Sequence, residues 1–443
     1  MPACPSCPNP EPSFGAFCPW AHGLGLLLLL LALCTGGCAG GDVASSAASD
    51  APQAPRATMA LPDSTVGTVQ LYRGDDEQAL PIISMQGGAP LTLAFDLLTD
   101  TGRPLSVYFI HADRTWQRDL TPPQYMARFS YDQLLNYQPS RSTDVPYVHY
   151  TYEFPNDSID FTVSGNYIVR VTERGNRDAV LFERPFYVSE QDAAGELELQ
   201  TMRQPGMATS PLRPILQFTP PDDLRGNPYG YAVCFTRDAV FETPRCSTRP
   251  LLSAQPQLGF ELDREAAFAP GAPSLQLDLS NLRTSIRIAD VDRQRRPPLV
   301  RLDPDRARLL DGEPALLGSP SVVRDAIRGV PDGQLSGEYV DVRFALVPPG
   351  GQPVQGAVRV NGPVAPAGVP MQWDAEAAHY TATLRIKQGI HAYRYETNDA
   401  ALQRALQSAS LRYEQRYLTF VYYRDPVAGT DRLLQVQTAR ALR

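Results

Sequence analysis

The 443-residue chain is poor in lysine: of its 40 basic residues only Lys387 is one, and its single basic cluster is Arg293, Arg295 and Arg296. With a net charge of −8, no basic face is available to neutralise phosphates, which excludes nucleic acid as a partner. Cysteine is equally scarce beyond the first 38 residues. Five of seven (Cys4, Cys7, Cys18, Cys34, Cys38) fall in the leader, so Cys4-x-x-Cys7 is no zinc knuckle, and only Cys234 and Cys246 remain for the body. These two could face each other across a long hairpin, where a disulfide would contribute about 2–4 kcal/mol; two unpaired thiols are the other reading. A membrane-spanning apolar run is missing as well. The leucine-rich stretch from Leu24 to Leu33 is about half of the ~20 residues a spanning helix needs.

That short run, closed by Thr35-Gly36-Gly37-Cys38, has the shape of a signal peptide over residues 1–38. The small residues before Cys38 suit lipoprotein processing, with Cys38 the acylated residue and Cys34 the alternative. No Lys or Arg precedes the leucines, and Thr35 stands where such a signal usually has leucine. Residues 39–65, rich in Ala, Ser and Pro, lack apolar periodicity and read as a tether.

From Thr68 onward, short alternating apolar segments are punctuated by Gly, Pro, Asn and Asp, which is the pattern of strands. Leu91, Leu93, Phe95 and Leu97 alternate with Thr92, Ala94, Asp96 and Leu98, placing one side of a strand in a core. One helix is expected: Thr121-Pro122-Pro123-Gln124 combines an N-cap, an early proline and a capping-box glutamine, leading into Tyr125 to Phe129. The fold class is therefore all-β: three consecutive immunoglobulin-like sandwiches over 66–190, 195–305 and 336–443, the first with the inserted helix. Residues 306–335, interrupted by proline and glycine, read as a linker with one helical turn near Val322 to Ile327.

Chemistry has few candidates. His111, Asp113 and Trp116 lie at a strand end, and His149 beside Tyr150 offers a second histidine; two His and one Asp could bind zinc or orient Ser164 as a nucleophile. The histidines are 38 residues apart, and no H-E-x-x-H or G-x-S-x-G context joins them, so no catalytic, metal or cofactor site is assigned. Ser164-Gly165-Asn166 and Phe154-Pro155-Asn156-Asp157 read as turns, and Lys387-Gln388-Gly389 as a hairpin with Gly389 at positive φ. Tyr393, Tyr395, Tyr413, Tyr417, Phe420, Tyr422 and Tyr423 could form a sugar-binding platform, although strand spacing makes about half of them core. An exported carbohydrate-binding lipoprotein is the alternative to the reading that follows.

The run Tyr108 to Asp113 with Trp116, then Tyr147 to Tyr150, Phe154-Pro155-Asn156 and Ser164 to Ile168, resembles the first domain of the type IX secretion system plug proteins. Leu277 to Leu282, Glu338 to Val342, Leu384 to Gly389, and Val421-Tyr422-Tyr423-Arg424 with Asp431-Arg432 resemble later segments of that family, in the same order. Lys387, the sole lysine, falls inside one of these motifs. The chain departs from the family around Arg237-Asp238, where a Gln-Asn turn is absent, and in the Pro/Gly-rich stretch Val347 to Pro370. The resemblance implies a non-enzymatic periplasmic subunit, without cofactor or homo-oligomer, that binds and seals the periplasmic opening of a large outer-membrane β-barrel translocon. Interface candidates under it are His111, Asp113, Trp116, Tyr125, His149, Tyr150, Asn156, Ser164, Gly165, Asn166, Lys387, Gly389, Tyr423 and Arg424, with the His111 to Trp116 edge and the helix foremost.

Overall fold

In the computed structural model, residues 59–443 are described apart from 192, 204–209, 242, 253–255, 283–286, 316–320, 328–331 and 410. The leader, Cys38 and most of the expected tether lie outside them. Among the described residues no helix is long and apolar enough to cross a membrane.

The first stretch supplies β1 (Val66–Arg73), β2 (Ile82–Ser84), β3 (Leu91–Leu97), β4 (Leu105–Ala112), β5 (Tyr131–Leu134), β6 (Tyr137–Pro139), β7 (Val148–Phe154), β8 (Gly165–Glu173) and β9 (Val180–Ser189). They form two sheets, ordered β1-β3-β7-β6 and β2-β9-β8-β4-β5. Leu93, Phe95, Leu105, Phe109, Tyr150, Val169, Phe182 and Phe186 fill the core between them. Helix α1 (Pro122–Tyr125) begins as expected, with Gln124 Oε1 accepting from the Thr121 N–H at 2.8 Å, but it stops at Tyr125. Ala127 and Phe129 instead donate their N–H groups to the Asp160 and Ser158 carbonyls, which ends the helix early.

The next strands are β10 (Ala194–Thr201), β11 (Leu212–Thr219), β12 (Tyr231–Arg237), β13 (Arg245–Ser247), β14 (Leu251–Leu252) and β15 (Leu258–Glu261). Then come β16 (Leu275–Asp278), β17 (Ile288–Asp292), β18 (Leu299–Leu302), β19 (Asp305–Arg306), β20 (Tyr339–Val347), β21 (Val358–Gly362), β22 (Ala365–Pro370), β23 (Gln372–Asp374), β24 (His379–Lys387) and β25 (Ile390–Thr397). The chain ends with β26 (Glu414–Asp425) and β27 (Thr430–Leu442); α2 (Gly333–Ser336) precedes β20 and α3 (Ala400–Gln407) follows β25.

The all-β architecture matches expectation, but the expected boundaries within 195–443 do not coincide with the sheets. β12 pairs with β26 along its whole length, Tyr231 opposite Tyr423 through Arg237 opposite Tyr417, and β16 pairs with β25. A second sandwich thus stacks β10-β11-β15-β14 on β13-β12-β26-β27 around Leu216, Phe218, Val233, Phe260 and Val421. A third stacks β16-β25-β21-β22 on the sheet containing β17, β18, β20, β24 and β23, around Leu277, Val342, Phe344, Tyr393 and Leu402. The third is inserted in sequence between two parts of the second.

Three local expectations are corrected. Residues 59–65 are not tether: Ala60 N–H donates to Glu183 Oε2 at 3.0 Å, and Asp63 N–H to the Leu181 carbonyl at 2.9 Å. Within the expected linker 306–335, the described residues near its middle are docked on the first sandwich: Val323 and Arg324 N–H groups both bond the Glu77 carboxylate, and Arg324 to Ile327 make a turn rather than a helix. Lys387-Gln388-Gly389 is no hairpin, because β24 and β25 lie in opposite sheets of the third sandwich and the tripeptide crosses between them. Gly389, at φ +155, is needed there: a Cβ would stand 2.5 Å from the Val322 carbonyl oxygen.

Candidate functional site: two joints between sandwiches

Strand β3 is covered on both faces. On β3, Leu91, Leu93, Phe95 and Leu97 face the first core, yet Thr92, Ala94 and Asp96 are buried too. The period-2 pattern is present as expected; the second face is occupied by another sandwich rather than by water.

Asp96 is the centre of that second contact. Its Oδ2 accepts from Lys387 Nζ and from the Tyr339 hydroxyl, each at 2.7 Å, and its Oδ1 lies 2.7 Å from His149 Nδ1. Lys387 Nζ sits 4.0 Å from the centre of the Tyr147 ring, a cation–π contact in a dry setting. Gln334, in α2, links His149 Nε2 (3.1 Å) to Glu77, and Glu77 accepts from Gln70 as well. Tyr147 donates its hydroxyl to the Gln334 and Gly337 carbonyls. Asp96 and Lys387 are each about 1% exposed. Burial alone would raise the Asp96 carboxyl, but Lys387 and His149 outweigh it and hold the group below its ordinary value, so it is ionised. Beside the pair, His391 donates Nε2–H to the Lys387 carbonyl (2.8 Å) and meets Ser321 Oγ through Nδ1 (2.6 Å). Burial pushes its pKa down to about 4, which keeps it neutral.

The second joint is apolar. The outer side of the β2-β9-β8-β4-β5 sheet contributes Ile82, Ile110, Ala112, Ile168 and Tyr187, with Trp116; the β12–β26–β27 sheet contributes Ala232, Cys234, Leu418, Phe420, Tyr422 and Leu433. Tyr187 stacks on Phe420 with centroids 4.4 Å apart. Cys234 and Cys246 are joined in a disulfide that ties β12 to β13 at this contact.

Around the apolar patch runs a hydrogen-bonded rim built from the motif residues. Trp116 Nε1–H donates to the Phe241 carbonyl (2.9 Å), and the Tyr422 hydroxyl to Asn166 Oδ1 (2.7 Å), while Asn166 Nδ2–H reaches the Asp113 carbonyl (3.0 Å). Ser164 Oγ donates to Glu190 (2.6 Å) and accepts from Leu433 N–H (3.0 Å); Glu190 in turn is gripped through both oxygens by Arg432. His111 pairs with Asp119 at 2.7 Å, and Thr430 donates to the other Asp119 oxygen. Arg114 binds Asp431 at 2.7 Å, with Arg424 at 3.7 Å. Gly165, at φ +148, lets the chain pass the histidine, since a Cβ would lie 2.6 Å from His111 Nε2.

The expected interface residues therefore divide. His111, Asp113, Trp116, Ser164, Gly165, Asn166 and Arg424 gather at the apolar joint; His149, Lys387 and Gly389 at the ionic one. The other four serve single sandwiches. Tyr125 and Tyr150 are core residues bonded to the Phe109 and Arg103 carbonyls, Asn156 holds its turn through Ser158 and Ile159 N–H, and Tyr423 packs 5.1 Å from Tyr231. His111 and Trp116, read as an outward docking edge, are 0% and 4% exposed and meet the chain's own second sandwich. His111 and His149 sit in different sheets, each with its own carboxylate, and Ser164 offers its hydroxyl to Glu190 rather than to a histidine. Among the described residues no three His, Cys, Asp or Glu side chains gather as metal ligands. Of the seven aromatics weighed as a sugar platform, six are buried and only Tyr423 is partly exposed.

Sequence reasoning missed Asp96, Glu77, Gln334, Asp119 and Glu190. Asp96 had a signal: a carboxylate in an otherwise apolar strand needs a buried cation, and the sole lysine is the matching rarity.

Residues 66–190 match the family model described as type 9 secretion system plug protein, first domain. The chain carries a plug-family first domain. That match ties it to type 9 secretion and bears out the resemblance read from the motifs in this region. The plug domain is the first sandwich, so both joints are contacts between it and the rest of the chain. No curated protein matches the chain. Its fold is similar to the crystal structure, at 2.30 Å resolution, of a hypothetical protein from Parabacteroides merdae ATCC 43184, with a TM-score of 0.75 at 19% identity. That likeness covers 86% of this chain and 99% of the other, so the arrangement of linked sandwiches recurs in a distant sequence.

Proposed function

We propose that this chain is a non-enzymatic periplasmic subunit that binds the periplasmic opening of the large outer-membrane β-barrel of type 9 secretion and seals it when no cargo is passing. The observation that carries the reading is the plug-domain match over residues 66–190. Physical logic supports it. A pore wide enough for folded proteins leaks solutes unless a bulky, stiff body closes it, and sandwiches clamped by two buried joints make such a body. The histidines, the serine and the sole lysine, the residues best suited to chemistry, are spent on holding the plug domain to its neighbours. The leader would deliver the sandwiches to the periplasm, and an acyl chain on Cys38 would hold them at the membrane containing their pore.

The test is affinity isolation of the tagged full-length chain from detergent-solubilised envelopes. The barrel is expected to co-purify in near-stoichiometric amount; its absence under conditions that keep the barrel intact would remove this reading.

A further inference from the structure

With the His111 to Trp116 edge buried, the exposed apolar surface of the plug domain lies elsewhere. Phe129, Tyr131 and Leu135 are 60%, 52% and 62% exposed, all within seven residues. They lie on and beside β5, the end strand of its sheet, which among the described residues pairs only with β4. Phe109 N–H bonds the Ser130 carbonyl, so antiparallel alternation turns the backbone groups of Tyr131 and the carbonyl of Gln133 away from β4, along an open edge.

The edge continues an existing interface. Tyr131 stacks on Tyr108 at 5.6 Å, and Tyr108 shares one face of β4 with Ile110 and Ala112, which the second sandwich covers. The covered end of that face binds a sheet, and the uncovered end keeps its aromatics and unpaired backbone.

Charge identifies what fits there. Asp157 and Asp160 are exposed on the adjoining turn and Glu153 near the end of β7, against one cation, Arg128, which donates to the Asp157 carbonyl, so the flank is net negative. The turn is held against the edge by Phe129 N–H to the Ser158 carbonyl and Ala127 N–H to the Asp160 carbonyl. The geometry points to β5 as the docking edge for an extended segment of a partner protein, apolar at alternate positions and flanked by Lys or Arg. The backbone of that segment adds to the sheet, its apolar side chains lie on Phe129, Tyr131 and Leu135, and its cations meet the acidic turn. A second copy of this chain is a poor occupant, because antiparallel self-pairing would set the same carboxylates against each other. The assignment rests on the plug reading, in which the segment belongs to the periplasmic mouth of the barrel.

The experiment measures binding of the full-length chain to the purified, immobilised barrel at low and high salt. Tyr131→Pro removes an outward N–H that β4 does not use, Phe129→Asp places a carboxylate in the apolar patch, and Asp157→Arg with Asp160→Arg inverts the flank. The first two are expected to weaken binding roughly tenfold or more without lowering the thermal midpoint by more than about two degrees; the charge inversion should weaken it less and abolish the salt dependence. If Tyr131→Pro unfolds the chain, Phe129→Asp decides. Wild-type binding that all three variants retain would overturn the edge and leave the plug reading standing, whereas no binding by the wild type overturns both. Loss of a dimer with barrel binding intact would assign the edge to a second copy and overturn the proposal.

Discussion

The plug domain meets the second sandwich through stacked rings and branched aliphatics, with polar groups confined to a rim, whereas it meets the third through charge: Asp96, Lys387, His149 and Glu77 at the centre of a buried network. An apolar joint gains free energy in rough proportion to the area it removes from water and tolerates modest changes of shape. An ionic joint gains little net, because desolvating the charges offsets their attraction, but it is costly to misassemble. The comparison separates two jobs: the first joint supplies cohesion, and the second admits essentially one relative placement of its partners.

The largest expected effect breaks the ionic joint. Lys387→Met leaves the Asp96 carboxylate buried without its cation and should cost about 4 kcal/mol in urea unfolding, while adding Asp96→Asn should recover part of the loss. No recovery in the double variant would mean that packing, not charge, holds this joint. Phe420→Ala, at the centre of the apolar joint, should cost about 3 kcal/mol, nearly independent of salt.

Acid should distinguish the joints further. His391 is neutral when folded, with its pKa lowered from 6.5 to about 4, so below pH 6.5 the unfolded chain takes up a proton that the folded chain refuses. Stability present above pH 6.5 is lost as pH falls, by about 2 kcal/mol at pH 5, and His391→Gln should remove most of that slope. Asp96, held below its ordinary value, contributes its loss only at lower pH, as its carboxyl takes up a proton. The smallest effect is at the rim of the apolar joint. Tyr422→Phe, which leaves Asn166 Oδ1 without its donor, should cost about 1 kcal/mol.

The sequence made the first sandwich legible because its strands are close together along the chain and its turn signals are strong. The segment read as a Ser164-Gly165-Asn166 turn is itself extended, with Gly165 and Asn166 already the first residues of β8. Long-range pairing was not legible. β12 and β26 are separated by a whole inserted sandwich, and alternation in either strand indicates two faces without saying what covers the second. His111 and Trp116, read as an outward docking edge, lie in an interface within the chain, which alternation along a strand does not reveal. Helix α3 was missed although both of its signals are in the sequence: Asp399 caps it, its carboxylate accepting from Ala401 and Leu402 N–H, and Leu402, Ala405 and Leu406 recur at helical spacing on its buried face.

The central claim is that this jointed body closes a pore. The direct measurement is entry of a large antibiotic across the outer membrane of cells lacking the gene, with and without the wild-type chain restored. The account predicts that entry rises on deletion and returns to baseline on restoration. Entry unchanged by deletion would contradict it.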